Sequence, residues 1–308
     1  MRRMTTTPAL LACDWGNTRL RAWVLGADGQ VLAERAFDLG VLALQPGQAQ
    51  DVFQRQVRPA LGAERLPAIL CGGVGSTIGW RTVEYVDCPA DTKAVAACLE
   101  PVGDAEAPAW IVPGVRGPGF AGGVDVMRGE ETQVFGWLVP DPARRAGVRV
   151  ICHPGTHGKW ILIQDGRIVR FVTFMTGELF SVLTRHSVLK TRAPADDLAA
   201  FDEGLVAADD GGALAARLFS TRTRVVGLGK PAGEMASYLS GVLIGAEVAT
   251  AAVALGVDPA GAVDLLGEPA LCVLYQRALA RRGVEVAVHD GGEAAVAGLW
   301  ALHRLAAG

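Results

Sequence analysis

Two short turns in this 308-residue chain carry the residue types that hold phosphate. The first is Asp14-Trp15-Gly16-Asn17-Thr18. Its glycine lets backbone N–H groups approach an anion closely. Asn17 and Thr18 can donate to phosphate oxygens. Asp14 is repelled by phosphate but can hold Mg²⁺ through water. An ordinary Asx-type hairpin turn has the same composition. The second turn is His153-Pro154-Gly155-Thr156-His157-Gly158-Lys159, with two of the five histidines and one of four lysines. The four-residue spacing of His153 and His157 suits zinc on a helix, but Pro154, Gly155 and Gly158 oppose a helix there. No Cys, Asp or Glu lies within the loop to complete a metal site. Phosphate cradling by Gly155 and Thr156 is the preferred reading. Lys159 reads either as a ligand-facing cation or as a solvated strand residue.

Four further segments hold candidates. Gly72-Gly73-Val74-Gly75-Ser76-Thr77-Ile78-Gly79 follows an apolar run and contains G-x-G-x-x-x-G. A dinucleotide fingerprint needs a helix opening in the loop, and Trp80–Val86 reads as extended. Gly75 and Ser76 are therefore assigned to a close-approach loop against a small substrate. In Met127-Arg128-Gly129-Glu130-Glu131-Thr132, the acids open a helix. That favours the macrodipole, or lets one carboxylate accept a proton from a hydroxyl. Thr176-Gly177-Glu178 also opens a helix, where free N–H groups suit an anion and Thr176 suits a cap. Leu266-Gly267-Glu268-Pro269 enters a helix through proline. The P-loop pattern and the G-x-S-x-G elbow are absent, which excludes those chemistries.

The elements that must position these residues repeat. Ala9–Cys13, Leu20–Leu25 and Val31–Phe37 read as strands joined by two tight turns. Val148–Cys152, Lys159–Ile163 and Arg167–Phe174 follow the same plan, with a glycine turn after the first strand each time. We read a duplicated three-strand unit. Between the copies lie a helix over Gln48–Leu61, a strand over Ala68–Cys71, a short helix over Asp91–Leu99, a strand over Trp110–Val112 and a helix over Glu130–Leu138. The polar, Pro-rich stretch from Pro140 to Gly147 marks a boundary, giving lobes 1–140 and 147–308, with the last helix free to pack back on the first lobe. The second half reads as helices Glu178–Val188, Ala195–Ala208, Gly212–Ser220, Ala232–Leu255, Pro269–Arg282 and Glu293–Leu305, with a strand over Glu285–Val288. The class is α/β.

Composition bounds the partners. Half the residues are hydrophobic and 20% are charged, which supports a large core. Twenty-nine basic against 32 acidic residues leave a net charge of −3, so a phosphate-backbone binder held by bulk charge is excluded. None of the six cysteines forms a C-x-x-C pair, and Cys13, Cys71 and Cys152 each end an apolar run. That pattern is expected in a reducing, cytoplasmic compartment. Leu10-Leu11-Ala12-Cys13 matches a lipoprotein cleavage box, but the preceding apolar stretch is far shorter than a signal core. Gly241–Val257 is the longest apolar stretch, contains Glu247, and falls short of a membrane span. A small-molecule substrate is expected, with no nucleic acid and no membrane; a homodimer is allowed.

Six blocks, in order along nearly the whole chain, resemble the 2-dehydro-3-deoxygalactonokinase family. They are Cys13–Trp23, Gly72–Ser76 with Gly79-Trp80, Met127–Gln133, Pro154–His157 with Lys159-Trp160, Met175–Leu179 and Leu239–Glu247. The resemblance implies an actin/hexokinase/Hsp70-like fold: two ribonuclease-H-like lobes with an interlobe ATP cleft. It implies ATP-dependent phosphorylation of the terminal 6-hydroxyl of 2-dehydro-3-deoxy-D-galactonate in galactonate breakdown, with Mg²⁺. Asp14 matches the first phosphate-loop aspartate and would organise Mg²⁺ through water. Gly16, Asn17 and Thr18 would contact phosphate, as would Gly155 and Thr156, with Thr176, Gly177 and Gly267 also on the ATP side. His153 stands where many superfamily members carry an acid.

The catalytic carboxylate is assigned to Glu130, with Glu131 as the second choice. The acid substrate calls for cations, drawn from Arg21, Arg128 and Lys159, beside Gly75, Ser76 and His157. The alternatives are a kinase for another 2-keto-3-deoxy sugar acid or a non-metabolic actin-like ATPase. A sugar-responsive repressor would need a DNA-binding helix pair ahead of the strand near Ala9, where there is no room. An oxidoreductase built on the Gly72 loop would have to bind NAD.

Overall fold

Strand β1 (Pro8–Trp15) is the axis of the first half of the chain. Its residues Leu10 to Cys13 are wholly buried, so the apparent cleavage box lies in the middle of a core strand. The computed structural model describes residues 6–103, 105–191, 196–209, 213–256 and 262–307. The predicted helix starts at Ala195 and Gly212, and Val257 of the apolar stretch, lie outside the described residues.

The turn signals place the next strands as expected. Strands β2 (Leu20–Gly26) and β3 (Val31–Phe37) follow β1 as an antiparallel meander. The helix expected over Gln48–Leu61 is instead three helical pieces: α1 (Gln48–Val52), a wider π turn over Phe53–Val57, and a 3₁₀ turn over Pro59–Leu61. Arg58 N–H reaches back five residues to the Phe53 carbonyl, and Pro59 has no N–H to continue the ladder. Then come β4 (Ala68–Cys71), β5 (Val86–Asp87), α2 (Thr92–Ala96), β6 (Glu100–Gly103), β7 (Pro108–Ile111), β8 (Val115–Pro118), β9 (Val124–Met127) and α3 (Glu130–Leu138). The strands β6, β8 and β9 were not expected. Each is four residues long, and two carry proline: Pro101 lies in the edge strand β6, and Pro118 is the last residue of β8, beyond its pairing with β5.

The second copy comprises β10 (Val148–His153), β11 (Gly158–Gln164) and β12 (Arg167–Phe174). Helices α4 (Thr176–His186), α5 (Leu198–Asp209), α6 (Leu214–Val226) and α7 (Met235–Leu255) follow. The chain continues through an unexpected strand β13 (Ala262–Gly267), α8 (Pro269–Ala280), β14 (Glu285–Asp290) and α9 (Gly291–Ala307).

Duplication is written in the sheet topology. One sheet runs β3-β2-β1-β4-β7-β6 and another β12-β11-β10-β13-β14, so both repeat an order of third, second, first, then later strands. The first strand of each copy pairs in parallel with a later one, β1 with β4 and β10 with β13. A third sheet is β5-β8-β9.

The chain divides into two compact units: Met1–Val148 with Ile163–Arg170 and Asp290–Gly308, and Arg149–Leu162 with Phe171–His289. The first has a core of Leu11, Trp15, Leu20, Phe53, Leu70 and Ile111. The second is built on Cys152, Trp160, Phe201, Ile244, Leu265 and Tyr275. Each fully buried large apolar side chain contributes roughly 1.5–3 kcal/mol. In the first unit α9 packs on α3 with backbones nearly touching. A Cβ at Gly136 would lie 1.8 Å from the Ala294 carbonyl, and one at Gly298 would lie 2.0 Å from that of Thr132.

Helix α7 matches the helix expected over Ala232–Leu255, with its first three residues forming a 3₁₀ turn before the α-helix begins at Met235. With the preceding turn it is long and apolar enough to cross a membrane, and 67% of its most apolar window is buried within the fold.

Candidate active site

Register brings the first group of residues together. In the β1–β2 ladder Asp14 lies opposite Arg21, and in the parallel β1–β4 ladder it lies opposite Cys71. Cross-strand partners on one face interact directly. Arg21 Nη2 donates to Asp14 Oδ2 at 2.7 Å, and the side chains are 37% and 14% exposed. Cys71 Sγ lies 3.8 Å from Asp14 Oδ1. Burial, then the Asp14 and Glu131 carboxylates, push the Cys71 thiol well above its usual value.

The turn after Asp14 is braced by the segment that follows β3. Gly16 N–H donates to the Arg19 carbonyl, while Val41 and Leu42 N–H donate to the carbonyls of Gly16 and Asn17. Trp15 Nε1 donates to the Leu39 carbonyl at 2.6 Å. Asn17 and Thr18 remain exposed at the tip.

The chain leaves β4 through Gly72, where two other segments close in. A Cβ at Gly72 would sit 2.7 Å from the Trp15 carbonyl and 3.4 Å from Asp14 Oδ1. A Cβ at Gly129 would sit 3.2 Å from Gly72 Cα. The start of α3 thus stands beside the strand end that holds Asp14. Glu131 is fully buried there. Its Oε2 accepts Gly129 N–H at 2.7 Å and its Oε1 accepts the Thr132 hydroxyl at 2.9 Å. Burial and then the neighbouring Glu130 charge raise its pKa to about 8, against those two donors. Glu130 is partly exposed, and its Oε2 accepts Arg128 N–H at 3.1 Å.

Arg128 reaches the Gly-rich loop. Its Nη2 donates to the Val83 carbonyl at 2.7 Å, and its guanidinium lies 4.3 Å from the Tyr85 ring centre. A Cβ at Gly75 would come within 2.9 Å of Arg128 Nη1, so the glycine makes room for the guanidinium. Nε and Nη1 are buried without a hydrogen-bond partner among the described residues. Ser76, expected beside substrate, turns its hydroxyl to the Gly73 carbonyl at 2.7 Å.

The second group forms within the other unit. Gly177 abuts the loop after β10. A Cβ there would lie 2.5 Å from the Gly155 carbonyl and 2.8 Å from Thr156 Cα. Glu178 N–H donates to the Thr156 carbonyl at 3.0 Å, and the Glu178 carboxylate pairs with His157. A Cβ at Gly155 would meet no described atom within 4 Å, so the outer side of this glycine is open. The β10–β13 register brings Gly267 to Pro154, whose carbonyl is 3.5 Å from a Cβ at that glycine.

Lys159 and Thr176 depart from expectation. Lys159 is not a solvated strand residue: it is only 4% exposed and its Nζ donates to the His157 carbonyl at 3.0 Å. Thr176 does not cap α4. It is the first helical residue, is buried, and hydrogen-bonds the Glu247 carboxylate. Glu247 also accepts Trp160 Nε1 and the Tyr275 hydroxyl, each at 2.8 Å. Burial raises its pKa against those three donors. Sequence reasoning gave no role to Cys71, Thr132, Tyr85 or Glu247. Glu247 had one signal, a lone carboxylate in an apolar helix.

Comparison with known proteins identifies the family. A 2-dehydro-3-deoxygalactonokinase of Escherichia coli strain K12 is 33% identical over 295 residues, covering 95% of this chain and 97% of that protein. A Sinorhizobium meliloti crystal structure described under the same enzyme name superposes with a TM-score of 0.84 at 34% identity, covering 96% and 98% of the two chains. The Clostridium difficile activator of 2-hydroxyisocaproyl-CoA dehydratase, with bound ADPNP, shares the fold alone: TM-score 0.51 at 13% identity, covering 97% and 96%. The fold is the α/β architecture of the actin and hexokinase type. The profile of the 2-keto-3-deoxy-galactonokinases matches residues 14–302, and the chain belongs to that family.

Proposed function

We propose that this chain transfers the γ-phosphoryl group of ATP to the terminal 6-hydroxyl of 2-dehydro-3-deoxy-D-galactonate, as a bacterial cytoplasmic enzyme. The family match and the names of its relatives support the substrate. The observation that carries the chemistry is the meeting at Gly72 of Asp14 with the Gly129–Glu131 helix start. On this reading the phosphate-side carboxylate Asp14 and the hydroxyl-side carboxylate Glu130 come from segments that meet at Gly72.

Mg²⁺ fits the residues present. Gly72 leaves space beside Asp14 Oδ1 that a side chain would fill. Among the described residues no cluster of three or more His, Cys, Asp or Glu could hold a metal alone. One carboxylate completed by phosphate oxygens and waters is the usual mode for Mg²⁺. Asp14 would hold the ion, which supplies charge neutralisation on the phosphates.

The chain's own residues perform the rest. Asn17 and Thr18 would donate to phosphate oxygens, as would the backbone of Gly155, Thr156 and Gly177. Glu130 takes the proton of the attacking 6-hydroxyl as that oxygen bonds to phosphorus and the bond to ADP breaks. Arg128 offers the guanidinium for the substrate carboxylate, since Arg21 is answered by Asp14 and Lys159 by the His157 carbonyl. The lobes proposed from the sequence, 1–140 and 147–308 with the last helix returning to the first, would each carry one phosphate loop.

The test is ADP release from ATP with this sugar acid and its epimers. Turnover is expected with the galactonate-derived acid and is lost, by about 10²–10⁴-fold, in Glu130→Gln. Turnover only with another 2-keto-3-deoxy acid, or ATP hydrolysis without any acceptor, would overturn the assignment.

A further inference from the structure

Glu247 is the one charged residue of α7, set in a helix that is otherwise apolar or small and polar. It is 3% exposed. A carboxylate in such a place is costly unless donors answer it. Three do, from three different elements: Trp160 on β11, Tyr275 on α8 and Thr176 at the first turn of α4.

Two of those partners frame the second phosphate loop. Trp160 lies just beyond its end, and a Cβ at Gly158 would sit 3.4 Å from Glu247 Oε1. Thr176 opens the helix against which the loop is clamped, through the Gly177 contact with Gly155 and Thr156, the Glu178 N–H bond to Thr156, and the Glu178–His157 pair. The chain of contacts therefore runs from Glu247 through the Thr176 hydroxyl to the α4 N-terminus, and from there to the backbone of Gly155 and Thr156.

We infer that Glu247 is a positioning residue for the nucleotide: it sets the second phosphate loop through the Thr176 hydroxyl without touching ATP itself. The inference rests on the kinase reading above. It explains why a charge persists in the core. A purely apolar packing at this point would leave α4 free to turn, and the loop N–H groups would lose their common aim.

The test uses the full-length enzyme with Glu247→Gln, Thr176→Val, their double variant and Thr176→Ser. Steady-state kinetics give KM for ATP and for the sugar acid separately, and calorimetry gives the affinity for ADP. The two single variants are expected to raise the ATP KM and weaken ADP binding at least tenfold, with the sugar-acid KM within twofold. The double variant should be no worse than the poorer single one, because both break one path. Thr176→Ser keeps the hydroxyl and should stay within threefold of the parent. Equal shifts in both KM values, fully additive effects, or unchanged ADP affinity would overturn the inference. Should Glu247→Gln fail to fold, the Thr176 pair still decides. If the parent enzyme shows no turnover with any sugar acid, the kinase reading fails, while the ADP affinities still test the loop.

Discussion

Arg21 and Asp14 are cross-strand partners, and the guanidinium donates to Oδ2 at 2.7 Å. Arg21 also lies near Asp290, whose Oδ1 caps the start of α9 by accepting from Gly292 and Glu293 N–H. Its charge is thus answered inside the protein, and on the proposed mechanism it would act by fixing the Asp14 rotamer. Arg21→Met should lower kcat by about tenfold or more, the scale of one lost charge-assisted hydrogen bond. The sugar-acid KM should stay within threefold. A large rise in that KM with kcat intact would instead make Arg21 a substrate ligand.

Glu131 supplies a pH dependence whose sign follows from burial. Its folded pKa, about 8, lies above the ordinary 4.5. Between those values the folded chain keeps a proton that the unfolded chain has released. The stability associated with this group is complete below about pH 4.5 and is lost as pH rises through about 8. Glu131→Gln mimics the protonated form, with the amide N–H₂ toward the Thr132 hydroxyl. Its Tm should fall less steeply than the parent's between pH 5 and pH 9 in calorimetric scans. Identical slopes would show that Glu131 titrates normally.

Arg128 should govern the acid end of the substrate. Arg128→Lys keeps the charge but loses the planar fork and the stacking on Tyr85. The sugar-acid KM should rise roughly 10- to 100-fold, matching the 1.5–3 kcal/mol of hydrogen bonds to a charged group, with the ATP KM unchanged. Gly75→Ala, which presses on Nη1, should move it the same way.

Gly177→Ala places a methyl group 2.5 Å from the Gly155 carbonyl, where only backbone can yield. Overpacking of this kind costs about 1–3 kcal/mol, readable by urea denaturation. The ATP KM should rise with it, since the displaced segment is the loop itself.

The meanders were legible because their turns announce themselves: Asp28-Gly29 and Asp165-Gly166 bracket β-rich runs in both copies. The start of α3 was legible from its paired acids. The strands β6, β8, β9 and β13 were not: β6, β8 and β9 are four residues long, and Pro101 and Pro118 break the strand signal in two of them, while β13 pairs with β10 across more than a hundred residues. The site divided along the same line. Asp14 and the glycine turns could be named from local chemistry. The burial of Glu131 beside Cys71 could not, since it needs the parallel Asp14–Cys71 register and the approach of Gly129 to Gly72. Thr176 was misread because a helix-opening threonine and a threonine turned toward a buried carboxylate look alike in one dimension.

The reciprocal glycine contact between α3 and α9 bears on how the polypeptide matures. On a ribosome, α3 emerges well before α9, and every residue of the second unit is made in between. Until α9 arrives, the Gly136 face of α3 has no backbone to rest on. The second unit can therefore assemble while the first still waits for its closing helix, and nascent chains halted before Gly291 should expose an apolar flank that chaperones would recognise.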